Sequence, residues 1–484
     1  MNLDYILKFE NNFSKLSKKQ LVSMLAFLLS LFLKLKKDCE EKKNKDINLK
    51  VNQPYSKKAE FEKDGKKKKK RKKQRKKNKG SGNKRKDSLI PDKTNIIPLE
   101  NCPICNRDLK DSIGANTKSR IVEDIASEPQ KTEVSEEICT SKWCPNCQRM
   151  VISKTEAALP GSDIGIRTTV WVAYFWVILA VTLPNITKYL TNFFKLKISC
   201  AGISRLMIRL SNILIPVYEE ILYEVRAANV VYADETGWRV SGILHWIWAF
   251  ANRQNAFYWP DRNRGSAVVE KTLGTFFCGT LVSDAWYAYL KIYCFEMKQT
   301  CNSHLFRKIK AFKDAYPQYY SLLKFYVKFK RIITDGEKIK NERLELGEES
   351  FNHRLLLLKN RLQNLLSWPN PNDILTKIIK MIKAQEDKIL TFVLYDQVDS
   401  HNNFAEYIIR KCILKRKVSG GSMSYAGLMS YCVLISIGQT CHLQNLSFTD
   451  FLYKGLKMYI KSGRVMLLSE YKMINENINI KKVA

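Results

Sequence analysis

Acidic residues are scarce in this sequence. In 484 residues, 47 Asp and Glu face 82 Lys and Arg, a formal net charge of +35. Such a field favours a polyanionic partner, DNA or RNA first and an anionic membrane surface second, and says nothing about fold. Nor is a secretory signal expected: residues 1–20 carry both acidic and basic groups and no cleavage-type pattern. With 13 cysteines, an odd number, the expectation is a reducing, cytoplasmic setting with thiols free or metal-bound. Long uncharged runs are few. Leu21 to Leu33 is too short to span a bilayer. Thr168 to Thr187 is long enough at twenty residues, but it holds Pro184, Asn185 and several threonines. A buried core helix is expected there, and no membrane partner.

What the sequence does have is apolar mass. Hydrophobic residues make up 45%, and the length allows two or three domains with a sizeable core. Residues 1–45 read as an N-terminal helix. Leu21, Met24, Leu28, Leu31 and Leu35 form a short coiled-coil-like seam, and an ordinary amphipathic helix fits nearly as well. Residues 46–98 read as a basic, disordered linker. Between Lys57 and Lys86, eighteen of thirty residues are Lys or Arg against Glu60, Glu62 and Asp64. Like charges with little to bury cannot fold on themselves. The run serves as a solvated tether, as a sequence-independent grip on phosphates, or as both. No aromatic residue interrupts Gly65–Lys86, so base stacking is not expected within it.

Residues 99–150 carry two Cys-x-x-Cys words, Cys102/Cys105 and Cys144/Cys147. Four thiolates on two knuckles suit a structural, tetrahedral Zn2+ with no open position. Cys139 is a rival ligand, and reduced thiols or a redox pair are the other readings. Residues 160–226 read as helices. Within them, Tyr189 to Leu210 fits a helix-turn-helix that shows Arg205 and Arg209 on one face of its second helix, and fits a plain helical hairpin equally.

Residues 227–300 alternate between strand-like and turn-like stretches. Val230–Ala233, Leu244–Phe250 and Ala256–Trp259 read as strands, followed by a helix from Ser266 to Phe276 and a strand from Thr280 to Ser283. Three strands, a helix and a fourth strand is the order of a ribonuclease-H-like fold, where the first and fourth strands are neighbours. Asp234 and Asp284 then meet at strand ends, and Glu406 lies at a helix start after Asn402 and Asn403. Three such carboxylates suit two hard divalent cations. By themselves they read more readily as a turn cap, a helix cap and a solvated face. Residues 301–395 read as a helical insertion, 396–455 as the return to the core, and 456–484 as a C-terminal helix and tail.

Ordered words decide between these readings. Asp234-Glu235-Thr236 is followed by Gly279 to Tyr289 (GTLVSDAWYAY), Cys301 to Arg307 (CNSHLFR), Asn402 to Glu406 (NNFAE) with Arg410, and Gly420-Gly421-Ser422. In order and rough spacing, from about residue 100 to about 455, the chain resembles transposases of the insertion-sequence sixty-six family, a group of DDE-type enzymes. The resemblance implies a multidomain α/β protein. A zinc-binding module and helical DNA-binding segments would precede a ribonuclease-H-like catalytic core with a helical insertion. It further implies Asp234, Asp284 and Glu406 as ligands of two Mg2+ (Mn2+ substituting), acting in 3′-end cleavage and strand transfer. His304, Arg307, Arg410, Lys415 and Arg416 join Arg205 and Arg209 as expected DNA contacts. Element ends and target DNA are the expected partners, with a homo-oligomer and accessory proteins of the same element. Two words depart from the family pattern: His401 stands where an acid is usual, and Tyr407 where Arg is usual. The competing readings are a non-catalytic DNA-binding regulator derived from a transposase and a metal-dependent nuclease.

Overall fold

The structure, a computed structural model, describes residues 132–138, 141–146, 148–152, 155–274, 277–290, 298–369 and 373–483. The expected N-terminal helix, the basic linker and Cys102, Cys105 and Cys147 lie outside the described residues. A hairpin of β1 (Ser141–Cys144) and β2 (Arg149–Ile152) comes first, with Cys144 paired to Arg149. The second Cys-x-x-Cys word therefore opens at a hairpin turn.

Helix α1 (Ile166–Ala173) continues as a π-helical turn, Tyr174–Ile178, and then stops. The uncharged run from Thr168 to Thr187 is therefore not the single core helix its composition suggests. Ala180 takes a left-handed φ of 55°. Thr182 then caps a new helix, α2 (Leu183–Phe194), by accepting from the Asn185 amide, and Pro184 sits in the first turn, where no amide is needed. Next come α3 (Cys200–Ile213), capped by Ser199, and α4 (Ile215–Arg226). Ile203, Leu206, Met207 and Leu210 bury one face of α3.

The sheet that follows is five-stranded. Strand β3 (Val230–Val240) pairs antiparallel with β4 (Ile243–Ala251) through a two-residue turn, Ser241-Gly242. Both turn residues are left-handed, with φ of 46° and 83°, a geometry that matches strand twist and that glycine adopts without strain. Strand β5 (Ala256–Asp261) pairs antiparallel with β4. After α5 (Ser266–Leu273), β6 (Thr280–Ser283) runs parallel beside β3. Helix α6 (Tyr287–Leu290) precedes β7 (Lys298–Thr300), which is parallel to β6. The order is β5-β4-β3-β6-β7. Against the expectation that the first strand ends at Asp234, β3 runs on to Val240. Its partner β6 ends at Ser283, but β4 keeps pairing, so Asp234 stands mid-strand with one neighbour already gone.

The expected insertion is helical. It holds α7 (Asn302–Ala315), α8 (Tyr320–Asn341), α9 (Arg343–Leu366), α10 (Asp373–Lys383) and the short α11 (Thr391–Leu394). These helices build their own apolar core, to which the sheet contributes Tyr232 and Val282. The chain returns through α12 (Asn403–Ser419), α13 (Tyr425–Leu443), α14 (Phe448–Ser462) and α15 (Leu468–Val483). The Glu220 carboxylate accepts from the Leu468 and Ser469 amides at the start of α15. Helix α13 is long and apolar enough to cross a membrane, yet 72% of its most apolar stretch is buried inside the fold. It covers the β5 edge, where its Ser436 and Thr440 hydroxyls accept from the Tyr258 and Ala256 amides. A helix thereby satisfies an edge that would otherwise recruit another strand.

Candidate active site

Three buried hydrogen bonds draw distant parts of the chain together. The Cys301 amide donates to the Ser283 carbonyl at 2.8 Å, next to Asp284. The Asn402 amide donates to Cys301 Sγ at 3.1 Å. The Asn402 side-chain Nδ2 donates to the Ala233 carbonyl at 2.7 Å, next to Asp234. Asn402 also accepts the Glu406 amide at 3.1 Å, the first helical bond of α12. The end of β6, the middle of β3 and the start of α12 are thus stitched at one point, and a carboxylate lies within one to four residues of each stitch. Tyr232 and Phe404 pack edge to face, with ring centroids 5.3 Å apart, behind the same junction.

Asp234 and Asp284 share a register. The last β3–β6 pair is Tyr232 with Val282, so each aspartate stands two residues beyond it. Burial pushes Asp234 well above its ordinary 3.8, and the charges of Glu235, Asp284 and Glu406 push it further. Burial also raises Asp284; Glu406 adds to that, while the Trp286 amide, Arg264 and Lys308 oppose it. One oxygen of each aspartate, Oδ1, is held by a backbone N–H: the Glu235 amide at 2.9 Å and the Trp286 amide at 3.0 Å. The third carboxylate is engaged elsewhere. Glu406 Oε1 lies 2.8 Å from Arg307 Nη2 and 3.7 Å from His304 Nε2. Accordingly, among the described residues no three His, Cys, Asp or Glu stand close enough to form a metal-holding group.

Sequence reasoning missed a fourth acid. The Glu235 side chain is 2% exposed and 2.7 Å from Arg264 Nη2, and it also accepts from Tyr289 Oη. The Arg264 guanidinium lies between two indoles, 4.4 Å from the Trp246 centroid and 4.1 Å from that of Trp286. The sign was available, because Glu235 stands in one family word and Trp286 and Tyr289 in the next.

The expected DNA contacts divide. His304 and Arg307 open α7 beside Glu406, and burial, with Arg307, lowers the His304 pKa from 6.5. Arg410 is exposed on α12 and Arg205 on α3. Arg209 donates to the Gly161 carbonyl. Two expectations are corrected. The Lys415 ammonium is buried and donates to the Trp176 and Val181 carbonyls at 2.9 and 2.7 Å, out of reach of a phosphate. Arg416 is half-buried and donates to Thr236 Oγ1 and the Gly237 carbonyl, bracing β3 instead. The Gly420-Gly421-Ser422 word has a structural reason: Ser422 pairs with the end of β3, and a Cβ on Gly421 would meet the Arg239 carbonyl at 2.2 Å.

Comparison with known proteins adds the identity of this arrangement. Over 94 residues the chain is 27% identical to y4jO, an uncharacterized protein of Sinorhizobium fredii (strain NBRC 101917 / NGR234). That stretch is 19% of this chain and 29% of the relative's length. The profile of the family described as "Transposase IS66 family" matches residues 162–430, which is more than half of the chain and includes all three carboxylates and the junction that joins them. The chain belongs to the IS66 family of transposases.

Proposed function

We propose that the protein is a DNA transposase that cuts the 3′ ends of an insertion sequence and joins them to target DNA by metal-dependent phosphodiester chemistry. The observation that carries this reading is the pair Asp234 and Asp284. They are held in register at the end of β6 and both raised in pKa by burial, with Glu406 close enough to add to both. Buried carboxylates brought to one junction fit hard divalent ions. The strand order supports a ribonuclease-H-like core: counted from β3, it reads 3-2-1-4-5.

Asp234 and Asp284 would hold two Mg2+, with Glu406 as the third ligand and Mn2+ as a substitute. Bound there, the ions would supply activation of the attacking hydroxyl or water and stabilisation of the leaving oxygen. The chain's own share is positional. The Glu235 and Trp286 amides fix one oxygen of each aspartate, Asn402 fixes the start of the Glu406 helix, and the Arg264 charge and a hydrogen bond from Tyr289 hold Glu235 beside them. Arg307 and Arg410 would hold phosphates at this edge, and Arg205 further along α3. Cys102, Cys105, Cys144 and Cys147 would hold a structural Zn2+, with Cys144 already at a hairpin turn. DNA is the partner the family implies; a homo-oligomer and accessory proteins of the element belong to the same proposal.

The test compares wild type with Asp284→Ala on DNA carrying the element's ends, with Mg2+ or EDTA, and measures DNA binding separately. Expected is a loss of nicking by at least about a thousandfold with binding retained. Nicking that persists in the variant overturns the assignment. Binding without nicking in wild type favours the DNA-binding regulator.

A further inference from the structure

The hairpin of α7 and α8 is strongly basic up to Arg331, ahead of Asp335 and Glu337 on α8. From Ser303 to Arg331 there are eight Lys or Arg and one acid, Asp314, and Asp314 is paired with Lys313. Arg307, Lys308 and Lys310 are exposed on α7. That helix starts at the carboxylate junction, where Arg307 meets Glu406 and Lys308 is near enough to pull Asp284 down. Its 14 residues span about 20 Å. At its far end stand three tyrosines, Tyr316, Tyr319 and Tyr320, which are 37%, 41% and 63% exposed. The first two rings have centroids 6.1 Å apart, and the Lys324 ammonium sits 4.8 Å from the centroid of the third. Clustered exposed aromatics mark an interaction surface.

We propose that the α7–α8 hairpin binds an unpaired segment of the DNA strand, with Arg307, Lys308 and Lys310 on its phosphates and Tyr316, Tyr319 and Tyr320 stacked on its bases. This inference rests on the carboxylates being the place where DNA is cut, since α7 leads away from them. Phosphate contacts need the basic side chains, and base stacking needs aromatic faces with cations beside them; this surface has both. A duplex keeps its bases stacked on each other and offers none to the tyrosines. A second copy docked face to face here would bring the same positive charge against this surface.

The test uses the full chain and a fluorescent single-stranded oligonucleotide, with a blunt duplex of the same length alongside. The triple variant Tyr316→Ala/Tyr319→Ala/Tyr320→Ala is expected to weaken single-strand binding by about tenfold or more and to leave duplex binding within about twofold. Phenylalanine at the same three positions keeps the stacking faces and is expected to retain binding. Lys308→Gln/Lys310→Gln is expected to lower the slope of log affinity against log salt by about one to two. Unfolding midpoints check that each variant is folded. Unchanged single-strand affinity in the alanine variant, or an equal loss on the duplex, overturns the inference. These readouts are binding constants, so failure of the cleavage reading appears separately, as absence of metal-dependent nicking in wild type.

Discussion

Lys415 shows how far a single charge can depart from the role its neighbours suggest. It stands in a run of basic residues on α12, but its buried ammonium bonds two carbonyls that close the break between α1 and α2. Burial lowers its pKa from 10.5 to about 7. A base depressed by folding binds fewer protons in the folded state than in the unfolded state between those two values. Stability therefore rises with pH across that window, and the full cost is carried below it. Between about pH 6.5 and pH 9.5, wild type should gain about 2–3 kcal/mol in denaturant unfolding relative to Lys415→Met. Parallel pH profiles for the two proteins would refute this. The burial was legible in spacing: Ile408, Cys412 and Lys415 share one buried helix face. Charge drew attention from it. Glu235 was hidden for the opposite reason. It follows Asp234 directly, and only the fold shows that Arg264 and Tyr289 enclose it.

At the scale of elements, strands with apolar alternation were readable and polar ones were not. β4, β5 and β6 fall where aromatic and β-branched runs put them. β7 is Lys298-Gln299-Thr300, three polar residues that become a strand only because β6 offers an edge. The length of β3 was equally unreadable, since nothing in Glu235-Thr236-Gly237 announces that β4 continues beside it. The candidate site was legible as words but not as a junction. Asn402, spelled within one of those words, ties the start of α12 to β3. Asn402→Ala should cost about 1–3 kcal/mol, because the buried Ala233 carbonyl loses its donor. It should also lower nicking more than a control substitution of equal instability, because the helix start that carries Glu406 is released. Nicking that falls only as far as the control's would leave Asn402 a stability residue alone.

For the whole molecule, charge was the most legible property. The segment 57–86 alone holds eighteen Lys or Arg and three acids of a chain with net charge +35. Deleting it should weaken binding to any DNA by on the order of tenfold or more at physiological salt and flatten the salt dependence. Nicking at saturating DNA should be kept, because the carboxylates lie elsewhere in the chain. Loss of nicking under saturation would mean the segment acts in the chemistry and not only in encounter. The most direct test of the account is one assay of 3′-end nicking and strand joining on the element's own ends, with Mg2+ or EDTA, comparing wild type with Glu406→Gln. The account predicts that both products require Mg2+ and that both disappear in the variant while DNA stays bound. Joined products made by the variant, or by wild type in EDTA, would contradict it.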